Sequence, residues 1–135
     1  METPQNSIPP QTIVIGIVRK GNKVLMVRRR NPIDKLTWQF VAGRLKVNQE
    51  SEEECIIREV SEETGVRVNV LHKIGEKVDG AVPYKRIYYA LEYLDGDASN
   101  NDVVENSDVS WVPIASVDKF VTTKIDEKVR AFLNI

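Results

Sequence analysis

Over residues 12–30 the chain runs through TIVIGIVRK and KVLMVRRR, two stretches rich in β-branched residues and joined by Gly21-Asn22. That pattern predicts two strands in a hairpin, with a turn pair that tolerates positive φ. NPIDKLT reads as a loop, WQFVAGRL as a short strand running into a glycine, and KVNQE as the lead to a helix. There the period changes: Ile56, Ile57, Val60 and Thr64 share one stripe of a helical wheel, and Glu52, Glu59, Glu62 and Glu63 share the next. The expected helix buries one side and offers a row of carboxylates beside it. Ser51 with Glu54 forms a capping box, Glu52 and Glu53 suit the positive end of the helix dipole, and Gly65 stands where a C-terminal stop belongs. VRVNVLHKI, YKRIYYALEYL and DVSWVPI return to strand character, with Asp95-Gly96 as a turn. ASVDKF and TKIDEKVRAFL read as helices, the second with Ile125, Val129 and Phe132 on one side.

Composition narrows this to one domain. A chain of 135 residues with 41% apolar content can bury a core without staples. The domain is expected over residues 12–135, after a polar, proline-bearing lead-in over residues 1–11 that is expected to be flexible. A formal net charge of -1 argues against a nucleic-acid partner held by bulk charge, so any phosphate site must be local. Cys55 is the single cysteine, which excludes an internal disulfide and a cysteine-based zinc cluster and suits a reducing interior. METPQNSIPPQ has no apolar core of a leader peptide, and no apolar run is long enough to span a bilayer. A cytoplasmic protein without a membrane partner is expected.

Charge placement is what makes the helix unusual. Glu59, Glu62 and Glu63 stand at i, i+3 and i+4, where like charges repel unless something positive lies among them. Converging carboxylates suit a hard divalent cation. Mg²⁺, with Mn²⁺ as a substitute, takes oxygen ligands and keeps several waters, so it usually binds through a few carboxylates together with substrate phosphates. Zinc fits less well, because His72 is the single histidine. Arg58, four residues before Glu62, can brace a carboxylate. The bland alternative is an acid-rich helix face in water. Among weaker signals, Arg28 and Arg30 of the triplet that ends a strand, Arg44 beside the glycine, and Trp38 are candidates for substrate contact, the arginines through phosphate oxygens and Trp38 by stacking on a base. The aromatics Phe40, Tyr84, Tyr88 and Tyr89 could also stack a base, although strand aromatics are usually core.

Residues 43–66, GRLKVNQESEEECIIREVSEETGV, resemble the Nudix box, G-x5-E-x7-R-E-U-x-E-E-x-G-U with U apolar. Glu50 falls on the first glutamate, Arg58 and Glu59 on the R-E pair, Val60 on the apolar position, Glu62 and Glu63 on the E-E pair, and Gly65-Val66 on the ending. Only the first glycine departs: Arg44 stands there, with Gly43 one place earlier. The resemblance implies a Nudix α/β/α sandwich with a mixed sheet between helices. It implies metal ligation by Glu59, Glu62, Glu63 and the carbonyl of Gly43, with Glu59 as ligand or base. It also implies a further acidic group before the Trp111 strand, for which Glu105 is the candidate and Asp108 the reserve. The implied activity is hydrolysis of a nucleoside diphosphate linked to another group. A small nucleoside triphosphate, such as an oxidised 8-oxo-dGTP-like one, is the leading substrate; ADP-ribose or another nucleotide sugar is second, and a non-catalytic nucleotide-binding module third. The implied partner is a small-molecule nucleotide, with a homodimer left open. Arg44 is either an acquired phosphate ligand or a strain on the metal loop.

Overall fold

A computed structural model of the chain describes residues 11–33, 36–79 and 84–135. The expected flexible lead-in falls outside the described residues up to residue 10, and β1 begins at Gln11. Six strands follow in order: β1 (Gln11–Lys20), β2 (Lys23–Ile33), β3 (Leu36–Arg44), β4 (Arg67–Asp79), β5 (Tyr84–Asp95) and β6 (Asn106–Pro113). Helix α1 (Glu52–Thr64) lies between β3 and β4. After β6 come a 3₁₀ turn (Ile114–Ser116), the short α2 (Val117–Phe120) and α3 (Glu127–Leu133).

The described strands form one mixed sheet in the order β4-β5-β1-β3-β2-β6. β1 runs parallel to β5 from Gln11↔Tyr84 to Arg19↔Glu92, and the other pairings are antiparallel. The hairpin expected from β1 and β2 is therefore confined to its turn. Arg19↔Val24 and Lys20↔Lys23 pair around Gly21, and then β3 enters between the two strands. The segment expected as a loop, NPIDKLT, is also partly sheet, since β2 continues to Ile33 and β3 starts at Leu36.

Alternation along β1 sends Val14 and Val18 to one face and Ile15 and Ile17 to the other. On the first face α1 packs Cys55, Ile56 and Val60 against Leu25, Val27 and Val41. On the second, Ile114, Val117, Val129 and Leu133 cover Met26, Phe40 and Tyr88. Each such buried aliphatic side chain contributes roughly 1.5–3 kcal/mol of transfer free energy. The result is the expected mixed sheet between helices. One detail of the wheel differs: Ile57 is 39% exposed and Cys55 takes its place in the core. α1 is turned so that the 55/56/60 edge meets the sheet.

The ends of α1 follow the sequence closely. Ser51 Oγ accepts from the Glu54 amide at 3.1 Å while Glu54 Oε1 accepts from the Ser51 amide at 2.8 Å. Gly65 closes the helix with φ 75°, a conformation that costs a Cβ-bearing residue energy. Among the described residues no helix is long and apolar enough to cross a membrane.

Candidate active site

Arg58 organises the acidic helix. Its Nε and Nη2 donate to Oε1 and Oε2 of Glu50, both at 2.9 Å, a two-pronged pairing of planar groups. Its Nη1 donates to Glu59 at 3.0 Å and Glu62 at 3.2 Å. The expected brace on Glu62 is present, and the larger anchor is Glu50, whose second oxygen also accepts from the Lys46 amide at 3.0 Å. The Arg58 hydrogen bonds, followed by that amide, hold the Glu50 carboxyl at about 2. Glu50 and Arg58 thus fix the loop before α1 to the helix and set the direction in which Glu59 points.

Glu59 points at Gly43. A Cβ on that glycine would collide with Cγ and Cδ of Glu59 and lie 2.7 Å from its Oε1. The residue whose bareness the acidic helix requires is therefore Gly43, one position before the glycine of the motif. Arg44 has no left-handed backbone: the non-glycine residues with positive φ among those described are Asn48 and Asn134. It is exposed, and its side chain lines the sheet-face cleft. The strain considered for Arg44 is absent.

A loop from Gly96 to Glu105 brings the remaining groups. Its Ser99 and Asn101 amides donate to the carbonyls of Thr64 and Glu63 at 2.9 and 3.0 Å, capping the end of α1. Arg30 ties it from the other side, donating to Val103 O at 2.9 Å through Nε and to Glu105 O at 2.8 Å through its amide. Asn106, 2% exposed, then donates from Nδ2 to Glu63 Oε1 at 3.3 Å. Glu63 Oε2 is buried without a donor. Burial, and then the adjacent Glu59 carboxylate, push the Glu63 carboxyl well above the usual carboxylate range.

A cleft of about 540 Å³ opens over this pair, lined by Gly43, Glu59, Glu63, Asp102, Glu105 and Asn106 with Arg29 and Arg44 across it. It continues into a second cleft of about 780 Å³ on the sheet face that α3 borders, sharing Ile13, Arg29, Gln39, Ala42 and Arg44. Of the expected site residues, Gly43, Arg44, Glu59, Glu63 and Glu105 meet here. Arg58 braces from behind. Glu62, 61% exposed, leans on Arg58 and lines neither cleft. Asp108, the reserve, lies in β6 opposite Arg28, and its carboxylate accepts from the Val109 amide at 2.8 Å.

Three expectations about substrate contacts do not match the geometry. Arg28 lines neither cleft and Arg30 is taken up by the 96–105 loop, whereas Arg29 lines both clefts. On β2, Leu25 and Val27 face α1 and Arg29 follows at the same parity, while the residue left over by the register shift, Ser107, lies on β6. Trp38 packs edge-on against Phe120, 5.3 Å between ring centroids, and lines neither cleft. Tyr84 and Tyr88 do line the sheet-face cleft. Sequence reasoning weighed Arg29 only as one of the 28–30 triplet and missed Gln39, Asp102 and Asn106; the loop that carries Asp102 and leads to Asn106 leaves no periodic signal.

Among the described residues no three Asp, Glu, His or Cys groups converge as a preformed metal centre. Arg58 Nη1 lies between Glu59 and Glu62 and draws both toward itself. The remaining donor set nevertheless fits a hard cation: two adjoining carboxylates, an oxygen left without a partner, and a glycine that clears the space in front of Glu59. A divalent ion would remove the repulsion that drives Glu63 toward its protonated form.

The family model described as NUDIX domain matches residues 8–133. A Mycobacterium tuberculosis protein bearing the name MutT4 is 32% identical over 102 residues, 71% of this chain and 40% of that protein. The NAD-capped RNA hydrolase NudC of Vibrio parahaemolyticus is 31% identical over 113 residues, 82% of this chain and 41% of that protein. This chain thus spans about two fifths of the length of these relatives. A NUDIX hydrolase crystal structure from Nitrosomonas europaea superposes with a TM-score of 0.77 over 93% of this chain and 71% of its own, at 20% identity. The arrangement of sheet, box helix and acidic cleft agrees with the match along almost the whole sequence: this chain belongs to the Nudix family.

Proposed function

We propose that the protein is a Mg²⁺-dependent pyrophosphohydrolase that cleaves a nucleoside triphosphate to the monophosphate and pyrophosphate. The observation that carries this reading is the Glu59–Glu63 carboxylate pair, Glu59 packed against Gly43, facing Arg29 and Arg44 across one cleft. Glu59, Glu62 and Glu63 with the Gly43 carbonyl would hold the metal, Glu62 turning from Arg58 to do so. When bound, the ion neutralises phosphate charge and makes water a better nucleophile. Glu105, at the cleft rim, takes the proton of the attacking water. The water oxygen joins one phosphorus, the bridging P–O bond breaks, and its electron pair leaves with pyrophosphate. Arg29 and Arg44 hold phosphate oxygens and offset the charge that gathers on them. Arg58, locked to Glu50, keeps the carboxylates aligned without touching substrate.

A second reading, a nucleotide-sugar or ADP-ribose pyrophosphatase, has its own support. The sheet-face cleft of about 780 Å³ has room for a sizeable group beyond the diphosphate. An ADP-ribose pyrophosphatase of Methanocaldococcus jannaschii is 35% identical over 66 residues, 49% of this chain and 38% of that protein. A panel of nucleoside triphosphates, 8-oxo-dGTP and nucleotide sugars with Mg²⁺, read by released phosphate and by the nucleotide product, tests both. Triphosphate turnover to monophosphate supports the first reading. Cleavage of ADP-ribose alone replaces it with the second, and no turnover of any compound removes both.

A further inference from the structure

Glu105 stands on a turn that burial does not hold. Val103 and Val104, the apolar residues beside it, are 60% and 75% exposed, and Glu105 is itself exposed. The ladder that follows is broken at once: Arg29 faces Asn106 and Arg28 faces Asp108, so that Ser107 is left over on β6. With neither apolar packing nor a regular strand to fix it, the turn depends on hydrogen bonds.

Arg30 supplies them on both sides of Glu105. Its Nε donates to Val103 O at 2.9 Å, its Nη2 to Asn106 O at 3.4 Å, and its amide to Glu105 O at 2.8 Å. A guanidinium can bracket a residue in this way because its donors leave a rigid plane in fixed directions, which an ammonium group does not offer.

Asn106 has ties of its own. Its carbonyl also accepts from Asn100 Nδ2 at 2.8 Å, and its amide donates to Asp102 O at 2.8 Å. The Glu105 amide has the longer bond to Asp102 Oδ1, at 3.3 Å. Loss of the Arg30 side chain should therefore loosen the turn at Glu105 while Asn106 keeps its hold on Glu63. We infer that Arg30 is a positioning residue: without touching substrate, it fixes the turn from which Glu105 reaches the acidic cleft. This rests on the hydrolase reading with Glu105 as base, and it assigns the guanidinium a share in kcat and none in substrate affinity. Proton transfer needs hydrogen-bond reach, and a misplacement of about 1 Å can cost up to about a hundredfold in rate.

Two variants separate the fork from the charge. Arg30→Met keeps the stem alone, and Arg30→Lys keeps the charge without the fork. Both should lower kcat by about tenfold or more on the best substrate, with KM and the Mg²⁺ concentration at half-maximal rate within about twofold of the parent. Placed on Glu105→Ala, either change should lower kcat by less than about twofold further, since the group it positions is gone. In the metal-free protein, hydrogen exchange at the amide of residue 30, which donates to Glu105 O, should quicken by about tenfold in Arg30→Met. A parental rate in Arg30→Lys, a raised KM at unchanged kcat, unchanged exchange, or an equal loss with and without Glu105 each overturns the inference. Parent turnover that Arg30→Met leaves unaltered removes the positioning role alone and leaves the hydrolase reading standing. Absence of hydrolysis in the parent removes that reading and the role with it.

Discussion

The side-chain amide of Asn106 donates to Oε1 of Glu63 at 3.3 Å, while Oε2 of the same carboxylate is buried with no donor. One oxygen is anchored and the other has no partner. Glu63→Gln should therefore leave the metal-free protein as stable as the parent or more so by about 1 kcal/mol, since a neutral amide ends the repulsion with Glu59. The same change should erase the rise in melting temperature that Mg²⁺ gives the parent and cut turnover by about a hundredfold or more. Thermal melts with and without Mg²⁺ check this; an unaltered Mg²⁺ shift would remove Glu63 from the ligand set.

Glu105 lines the acidic cleft, whereas Asp108 is spent on a neighbouring amide. Glu105→Ala should slow kcat by about a hundredfold, in the range of a lost general base, and Asp108→Ala should stay within about twofold of the parent. Steady-state rates of the two variants decide the matter, and the reverse ranking would move the base to Asp108.

Gly43 and Arg44 should answer oppositely to substitution. Gly43→Ala forces a Cβ into Glu59 and should cost about 1–3 kcal/mol of stability together with most activity. Arg44→Gly should leave the fold and the Mg²⁺ dependence intact and lower kcat/KM by about tenfold or more, as a lost charge-assisted phosphate contact does. Improved turnover of Arg44→Gly at low Mg²⁺ would contradict this and make the arginine an obstacle in the metal loop.

Acid should act through Glu50. Its carboxyl sits at about 2 in the folded protein against an ordinary 4.5, so unfolding takes up a proton between those values. The stabilisation from its pairing with Arg58 is complete above pH 4.5 and fades as the pH falls toward 2. Urea midpoints measured across that window should decline more steeply for the parent than for Glu50→Gln. Parallel slopes would show that the pair does not set the acid limb.

Cys55 is fully buried on the sheet-facing edge of α1, and burial, then the neighbouring Glu50, push its thiol up to about 12. At pH 8 it should remain a neutral thiol and resist a thiol-reactive dye until the protein unfolds. Rapid labelling of the native protein would show that this edge of α1 opens readily.

Helix α1 was readable because its signals are local. Capping box, 3.6-residue period and terminal glycine all lie within the helix and its flanks, and each recurs in the structure. The strands were readable as strands and not as a sheet. Gly21-Asn22 does encode a tight turn, but nothing near it tells β1 and β2 to part after two rungs, because β3 and β5 set that choice from a distance. Site residues divide in the same way. The carboxylates on α1 follow from helical spacing, whereas Arg29 in place of Arg28 or Arg30 depends on which face of β2 meets α1 and on the loop that takes up Arg30. Asp102 and Asn106 depend on a loop that hydrogen-bonds back to the end of α1.

The parallel pairing of β1 with β5 also governs when the acidic cleft can come into being. β1 gains a long neighbour on one side only after a strand ending at Asp95 has been made, and contacts so distant along the chain are slow to close. During synthesis, α1 with its capping box can form early, but Gly43 is fixed on β1 by a sheet that remains open along β1's other edge. Assembly of the Gly43–Glu59 contact should thus track completion of the sheet, making it a late reporter in refolding, well after helical signal from α1 has appeared.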